Sequence, residues 1–167
     1  MKHPGLLVIL SVVLTILLVG CNAYALSTSS EETKLYDKGI ADLDNKNYAA
    51  AFESFDKLTS LYPGGKDEKY AWFYKSIALT YLPKGILKEG EYDDHLFFRY
   101  NDALDAIDKA IAIDPNYATF WTRKGTILLY NIRDYKEALY AFNEALRLKP
   151  SDESALEGKN EAIDHMK

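Results

Sequence analysis

The chain has 167 residues, 48% hydrophobic and 27% charged, with a formal net charge of −5 at neutral pH. An acidic balance argues against nucleic acid as a partner, because binding a phosphate backbone needs a basic surface. A single cysteine, Cys21, excludes an intramolecular disulfide and any cysteine-based zinc site.

In chain order, the first feature is Lys2 followed by a nearly unbroken, uncharged apolar run from Gly5 to Gly20. A positive start and an apolar stretch over Leu6 to Leu18 have the layout of a signal peptide, and the run is short for the roughly 20 residues of a membrane span. Leu18-Val19-Gly20-Cys21 resembles the lipobox of prokaryotic lipoproteins at each of its four positions. That resemblance implies cleavage after residue 20, a diacylglycerol on Cys21 and attachment to a membrane outside the cytoplasm. With Asn22 rather than Asp after the cysteine, it implies the outer membrane in a Gram-negative host and the cell surface otherwise. Ala23-Tyr24-Ala25 offers the alternative of an ordinary secretory cut after Ala25 and a secreted product. Loss of residues 1–20 removes one lysine and no acid, so the remaining 147 residues carry −6, a length suited to one domain. Residues 21–30, with Ser27, Thr28, Ser29 and Ser30, read as a polar tether reaching about 30 Å when extended.

Ser29-x-x-Glu32 has the form of a capping box and opens a helical region. Within it one pattern recurs three times. Tyr48, Ala51, Phe55, Leu58 and Pro63 share their spacing with Tyr100, Ala103, Ile107, Ala110 and Pro115, and with Tyr135, Ala138, Phe142, Ala145 and Pro150. Ahead of each stands a large residue four before a small one: Leu35 and Gly39, Trp72 and Ser76, Trp121 and Gly125. Tyr135, Ala138, Leu139, Phe142, Ala145 and Leu146 form a single stripe at helical spacing. The small residues let two backbones approach, and the prolines end the second helices.

These residues resemble the tetratricopeptide repeat, a helix pair of about 34 residues. The resemblance implies an all-α fold over 31–167: a right-handed superhelical solenoid of about three hairpins plus a C-terminal capping helix. The units are 32–65, 69–117 and 118–151, with the cap at 152–167. Lys38, Lys75 and Lys124 stand where the family prefers leucine, and the third unit is one residue longer between Gly125 and Asp134. An insertion over 82–97 interrupts the second unit; Pro83, Gly85 and Gly90 mark a loop, and Asp93 is placed to cap an early-starting helix that runs through Ile113. In the cap, Leu156, Asn160 and Ile163 take the places of the large residue, the small residue and a later core residue.

Catalytic chemistry finds little to work with. Beyond residue 20 only His95 and His165 remain, and no G-x-S-x-G, phosphate-binding glycine loop or H-E-x-x-H is present. Glu91, Asp93, Asp94 and His95 cluster at the insertion but supply one nitrogen ligand, so they read as a solvated helix start rather than a metal site. Asp42, Asp44 and Asn45 read as an interhelix turn, because a calcium loop needs a glycine and a distal glutamate at other spacings. The expectation is a protein that is not an enzyme and takes no cofactor or metal.

Function then belongs to surfaces. The family resemblance implies a concave groove lined by the first helices, here Tyr36, Ile40 and Leu43, then Tyr70, Phe73, Tyr74, Ile77 and Tyr81, then Thr122, Arg123, Thr126, Leu129 and Tyr130. Relatives that clamp acidic peptide tails use Lys, Asn and Arg; the corresponding places here hold Tyr36, Ile40, Tyr74, Thr119 and Arg123, and only Arg123 fits. The expected partner is a protein or peptide segment bound by apolar contact, with Arg123 orienting a carbonyl or carboxylate. About half of the aromatics are expected to pack between repeats instead. A glycan or small-ligand receptor using the same groove is the alternative, and Tyr92, Leu96, Phe97 and Phe98 beside the insertion form a competing site.

Overall fold

The computed structural model of the protein describes residues 30–82 and 94–167, with side chains in the second stretch from residue 99. Seven helices follow one another and no strand occurs among the described residues: α1 (30–44), α2 (Tyr48–Leu61), α3 (Glu68–Tyr81), α4 (Asp94–Ile113), α5 (Ala118–Thr126), α6 (Tyr135–Leu148) and α7 (Glu153–Asp164). The ends follow local chemistry. Asp134 and Asp152 cap α6 and α7 by accepting from the backbone N–H groups of Glu137 and Ala155, each at 3.1 Å. Pro63, Pro115 and Pro150 lie just past α2, α4 and α6. The expected signal, Cys21, most of the tether and the loop part of the insertion lie outside the described residues. Among the described residues no helix is long and apolar enough to cross a membrane.

Contacts run between neighbours in sequence: α2 on α3, α3 on α4, α5 on α6 and α6 on α7. The interior is accordingly three successive apolar clusters, centred on Phe55, then on Ile107, Phe120 and Ile127, then on Phe142. A core divided this way is that of a solenoid, in which each unit buries its apolar face on the next. The small residues work as expected in the hairpins: Gly39 lies against the ring of Phe55 and Gly125 against that of Phe142, where no side chain would fit.

In α7 the sequence register needs correction. Asn160 is exposed, and the residue that meets Phe142 is Gly158, buried with Ala155 and Ala162 at i, i+3 and i+7. Leu156 stays 42% exposed and Ile163 is half-buried. The cap must match the ring it covers, and only a residue without a side chain can sit on a phenylalanine already held by Gly125.

The extra residue of the third unit appears as a π-helical turn, Ile127–Ile132, continuing α5. The turns after α1 and after α5 both close through a left-handed residue, Lys46 (φ 58°) and Arg133 (φ 65°). In the first, the N–H of Asn47 bonds the carbonyl five residues back, Asp42; in the third, that of Asp134 reaches six back, to Leu128. The hairpin absorbs the insertion inside the helix and keeps its turn.

The three lysines in leucine positions also have partners. Lys75 reaches Asp56 and Lys124 reaches Asp108, each at 2.7 Å and each on the preceding unit, while Lys38 bonds Asp42 at 2.7 Å and Ser54 Oγ at 3.2 Å. Half-exposed pairs of this kind contribute at most about 1 kcal/mol each.

Candidate functional site

The first helices of the hairpins, α1, α3 and α5, carry the residues expected to line a groove, and the structure divides them into two groups. Tyr36, Tyr74, Phe73 and Tyr70 form a continuous aromatic seam. Tyr74 stacks on Phe55 with centroids 5.5 Å apart, and Tyr36 meets both edge-on at 6.1 and 6.3 Å. Phe73 packs on Phe120 at 5.4 Å, and Tyr70 meets Phe120 and Tyr117 edge-on. Burial, then the neighbouring Tyr74 and Asp67, push the Tyr36 phenol well above the ordinary tyrosine range, so it stays neutral. Ile40 is half-buried against the Phe55 cluster, and Ile77 is half-buried on α3.

Tyr81 and Tyr130 form the second group, exposed at 53% and 54%. Tyr81 rests on Tyr48 at 5.3 Å. The Tyr130 phenol donates to Glu161 Oε2 at 2.6 Å, which together with some burial and the charge of Glu157 raises its pKa to about 12. Thr119 and Glu157 are exposed, with Thr126 half-buried. The stretch from Tyr81 to α7 therefore offers aromatic rings, hydroxyls and carboxylates.

Arg123 is engaged within the fold. Its Nη2 donates to the Ser76 carbonyl at 3.1 Å and to Thr80 Oγ1 at 2.6 Å, its Nε approaches Ser76 Oγ at 3.4 Å, and its Cζ lies 5.9 Å from the centroid of the Tyr81 ring. Burial lowers its pKa from the ordinary arginine value, yet it remains protonated. A guanidinium tied to α3 in this way through Nε and Nη2 fixes the α3–α5 interface and leaves only the Nη1 donors for a partner's carbonyl or carboxylate. The cue in the sequence was Ser76 and Thr80, two hydroxyl residues four apart on a helix, both buried in the fold.

Neither catalysis nor metal binding gains support. Among the described residues no group of His, Cys, Asp and Glu is arranged to hold a metal ion. His165 stacks on Tyr135 at 4.6 Å, 3.8 Å from Glu161. The cluster of Glu91, Asp93, Asp94 and His95, and the competing site at Tyr92, Leu96, Phe97 and Phe98, lie outside the described residues or their side chains.

Helical hairpins stacked in sequence, small residues at their crossings and aromatic first helices define a tetratricopeptide-repeat fold. Residues 99–153 match the family model of the tetratricopeptide repeat. A TPR repeat-containing protein of Methanocaldococcus jannaschii is 27% identical over 73% of this chain, and the Hsp70-Hsp90 organizing protein of Triticum aestivum is 21% identical over 81%. The chain spans only about a fifth of the length of these curated relatives, 18% and 22% respectively. The Arabidopsis OM64 TPR domain superposes with a TM-score of 0.65 at 20% identity, covering 81% of this chain and 97% of that one. The second TPR domain of human RPAP3, in complex with the HSP70 peptide SGPTIEEVD, gives 0.63 at 16% identity over 80% and 95%. The fold is generally a non-catalytic interaction scaffold, although an O-GlcNAc transferase of Thermobaculum terrenum also contains it, with a TM-score of 0.61 at 16% identity over 81% and 22%.

Proposed function

We propose that this protein is a non-catalytic adaptor, held at a membrane outside the cytoplasm by a lipid on Cys21, that binds a segment of a partner protein along α1, α3 and α5. The observation that carries the reading is the pair of exposed tyrosines, Tyr81 and Tyr130, on first helices of a fold whose neighbours are solved with peptides. The peptides in those structures, SRMEEVD and SGPTIEEVD, end in acids. Here Arg123 is bonded to Ser76 and Thr80, and Glu157 and Glu161 flank Tyr130, so an acidic tail meets two like charges at the α7 end. The segment this groove suits is apolar, with a neutral or cationic group at the α7 end. The lipobox Leu18-Val19-Gly20-Cys21 supports the anchor, and Asn22 supports the outer membrane where the host is Gram-negative; secretion after a cut at Ala25 is the competing fate.

A photo-crosslinking residue placed at Tyr81, compared with one at Tyr140 on α6, tests the site in cells. The reading expects one discrete adduct from position 81, mapping to an apolar segment of the partner, and none from position 140. Adducts from position 140 alone would move the site off the first helices.

A further inference from the structure

The structure contains a second recess, on a different stripe of α3. An open cleft of about 290 Å³ lies between α2, α3 and α4, with the indole of Trp72 and the ring of Phe52 as its apolar surfaces. The third unit repeats the framework with a different neighbour for its tryptophan. Trp121 corresponds to Trp72, and the Lys124–Asp108 pair corresponds to Lys75–Asp56. There Tyr140, two residues past Ala138, lies edge-on to Trp121 at 6.1 Å. The residue two past Ala103 is Asp105, whose short side chain lines the cleft, so among the described residues no aromatic ring covers the Trp72 indole. The position two past the repeat alanine is acidic in the first two units, Glu53 and Asp105, and aromatic only in the third, Tyr140.

Its polar groups are of both signs and largely uncommitted. Lys75 is paired with Asp56, but Asp102, Asp105 and Lys109 have no hydrogen-bond or ion-pair partner among the described residues. The ammonium groups of Lys109 and Lys75 rest 4.2 and 4.7 Å from the Trp72 ring centroid, the second of them held there by Asp56. Lys109 is exposed and long enough to swing aside.

We propose that this cleft is a binding site for one neutral pyranose ring. A planar indole matches the C–H face of a sugar, and hydroxyl groups both donate and accept, as the combination of Asp102, Asp105 and Lys109 requires. A formally charged ligand of either sign would face a like charge here. The volume is at the lower end of ligand pockets, which begin near 300 Å³, and admits a single ring with its neighbours projecting through the open side. The site is independent of the groove along the first helices.

Indole fluorescence of the full chain tests it, in a Trp121→Phe background so that Trp72 is the one tryptophan. The probes are glucose, N-acetylglucosamine and their β-1,4-linked disaccharides, with choline and glucose 6-phosphate as cationic and anionic probes. The proposal expects saturable change with at least one neutral sugar. Asp105→Tyr, which reproduces the Tyr140 arrangement, should weaken it at least tenfold. The doubly exposed Asp102→Ala/Asp105→Ala variant, which removes acceptors without filling the cleft, should do the same, while Tyr81→Ala should leave it unchanged. Saturation only with choline or the phosphate, saturation with none of the probes, or undiminished sugar binding by both aspartate variants would overturn the proposal.

Discussion

Replacing Gly125 with alanine adds one methyl group where α5 meets α6, and its effect can be worked out from two opposing terms. Alanine is favoured over glycine inside a helix by about 1 kcal/mol. Against that, a Cβ at Gly125 would stand 2.6 Å from Phe142 Cε1 and 2.7 Å from Cδ1. The ring cannot retreat freely, because it is 1% exposed and Gly158 closes on its tip at Cζ, Cε1 and Cε2. Overpacking of this kind costs about 1–3 kcal/mol, so Gly125→Ala should lower stability by up to about 2 kcal/mol. In a Phe142→Leu background the aromatic edge is gone, and the same substitution should become neutral or stabilising by up to about 1 kcal/mol. Urea unfolding of the wild type, both single variants and the double variant gives the coupling between the two sites directly. An equal effect of Gly125→Ala in both backgrounds would refute the close approach.

Further expectations follow from the same packing. Ala138→Glu forces a carboxylate into a fully buried position and should cost several kcal/mol in urea unfolding, whereas exposed Lys136→Glu should change the midpoint little. Arg123→Lys replaces a fork holding Ser76 and Thr80 by a single point donor and should destabilise by about 1–2 kcal/mol, a loss visible in unfolding without any ligand. The hydrogen bond from Lys69 holds the Asp114 carboxyl below the ordinary value of about 3.9, so the pair adds stability above that pH and loses it as the pH falls through the lower folded value. Asp114→Asn should therefore flatten the acid side of the stability profile below about pH 4. Cys21→Ser should abolish labelling by a fatty acid; a wild type that takes up no label and begins at Leu26 would instead support the secretory cut.

The architecture was legible because its determinants are local and repeated. Tyr135, Ala138, Phe142, Ala145 and Pro150 each act within one hairpin, so spacing alone identifies them. The register of α7 was not legible in the same way. Gly158 and Asn160 are both small or polar, and the choice between them depends on where the Phe142 ring points, which is a tertiary fact. The extra residue of the third unit was visible as a length difference, yet its absorption in a π-helical turn depends on the turn at Arg133 being kept. Among groove residues, family position suggested the candidates but could not show which would be used internally. The internal bonds of Arg123 were not legible because its partners, Ser76 and Thr80, are 47 and 43 residues away. The Trp72 cleft has Asp105 where the third unit has Tyr140, a contrast that matters only once the two tryptophan environments are compared.

The most direct measurement of the central claim is calorimetric titration of the partner segment mapped by crosslinking at Tyr81 against the wild type and three tyrosine variants. Tyr81→Ala and Tyr130→Ala, on first helices, should each weaken binding by about 1–2 kcal/mol at urea concentrations where both variants remain folded, and binding should persist at high salt. Tyr140→Ala, equally exposed at 54% but on a second helix, should leave it unaltered. Loss of affinity in the Tyr140 variant with full affinity in the other two would contradict a partner site on the first helices.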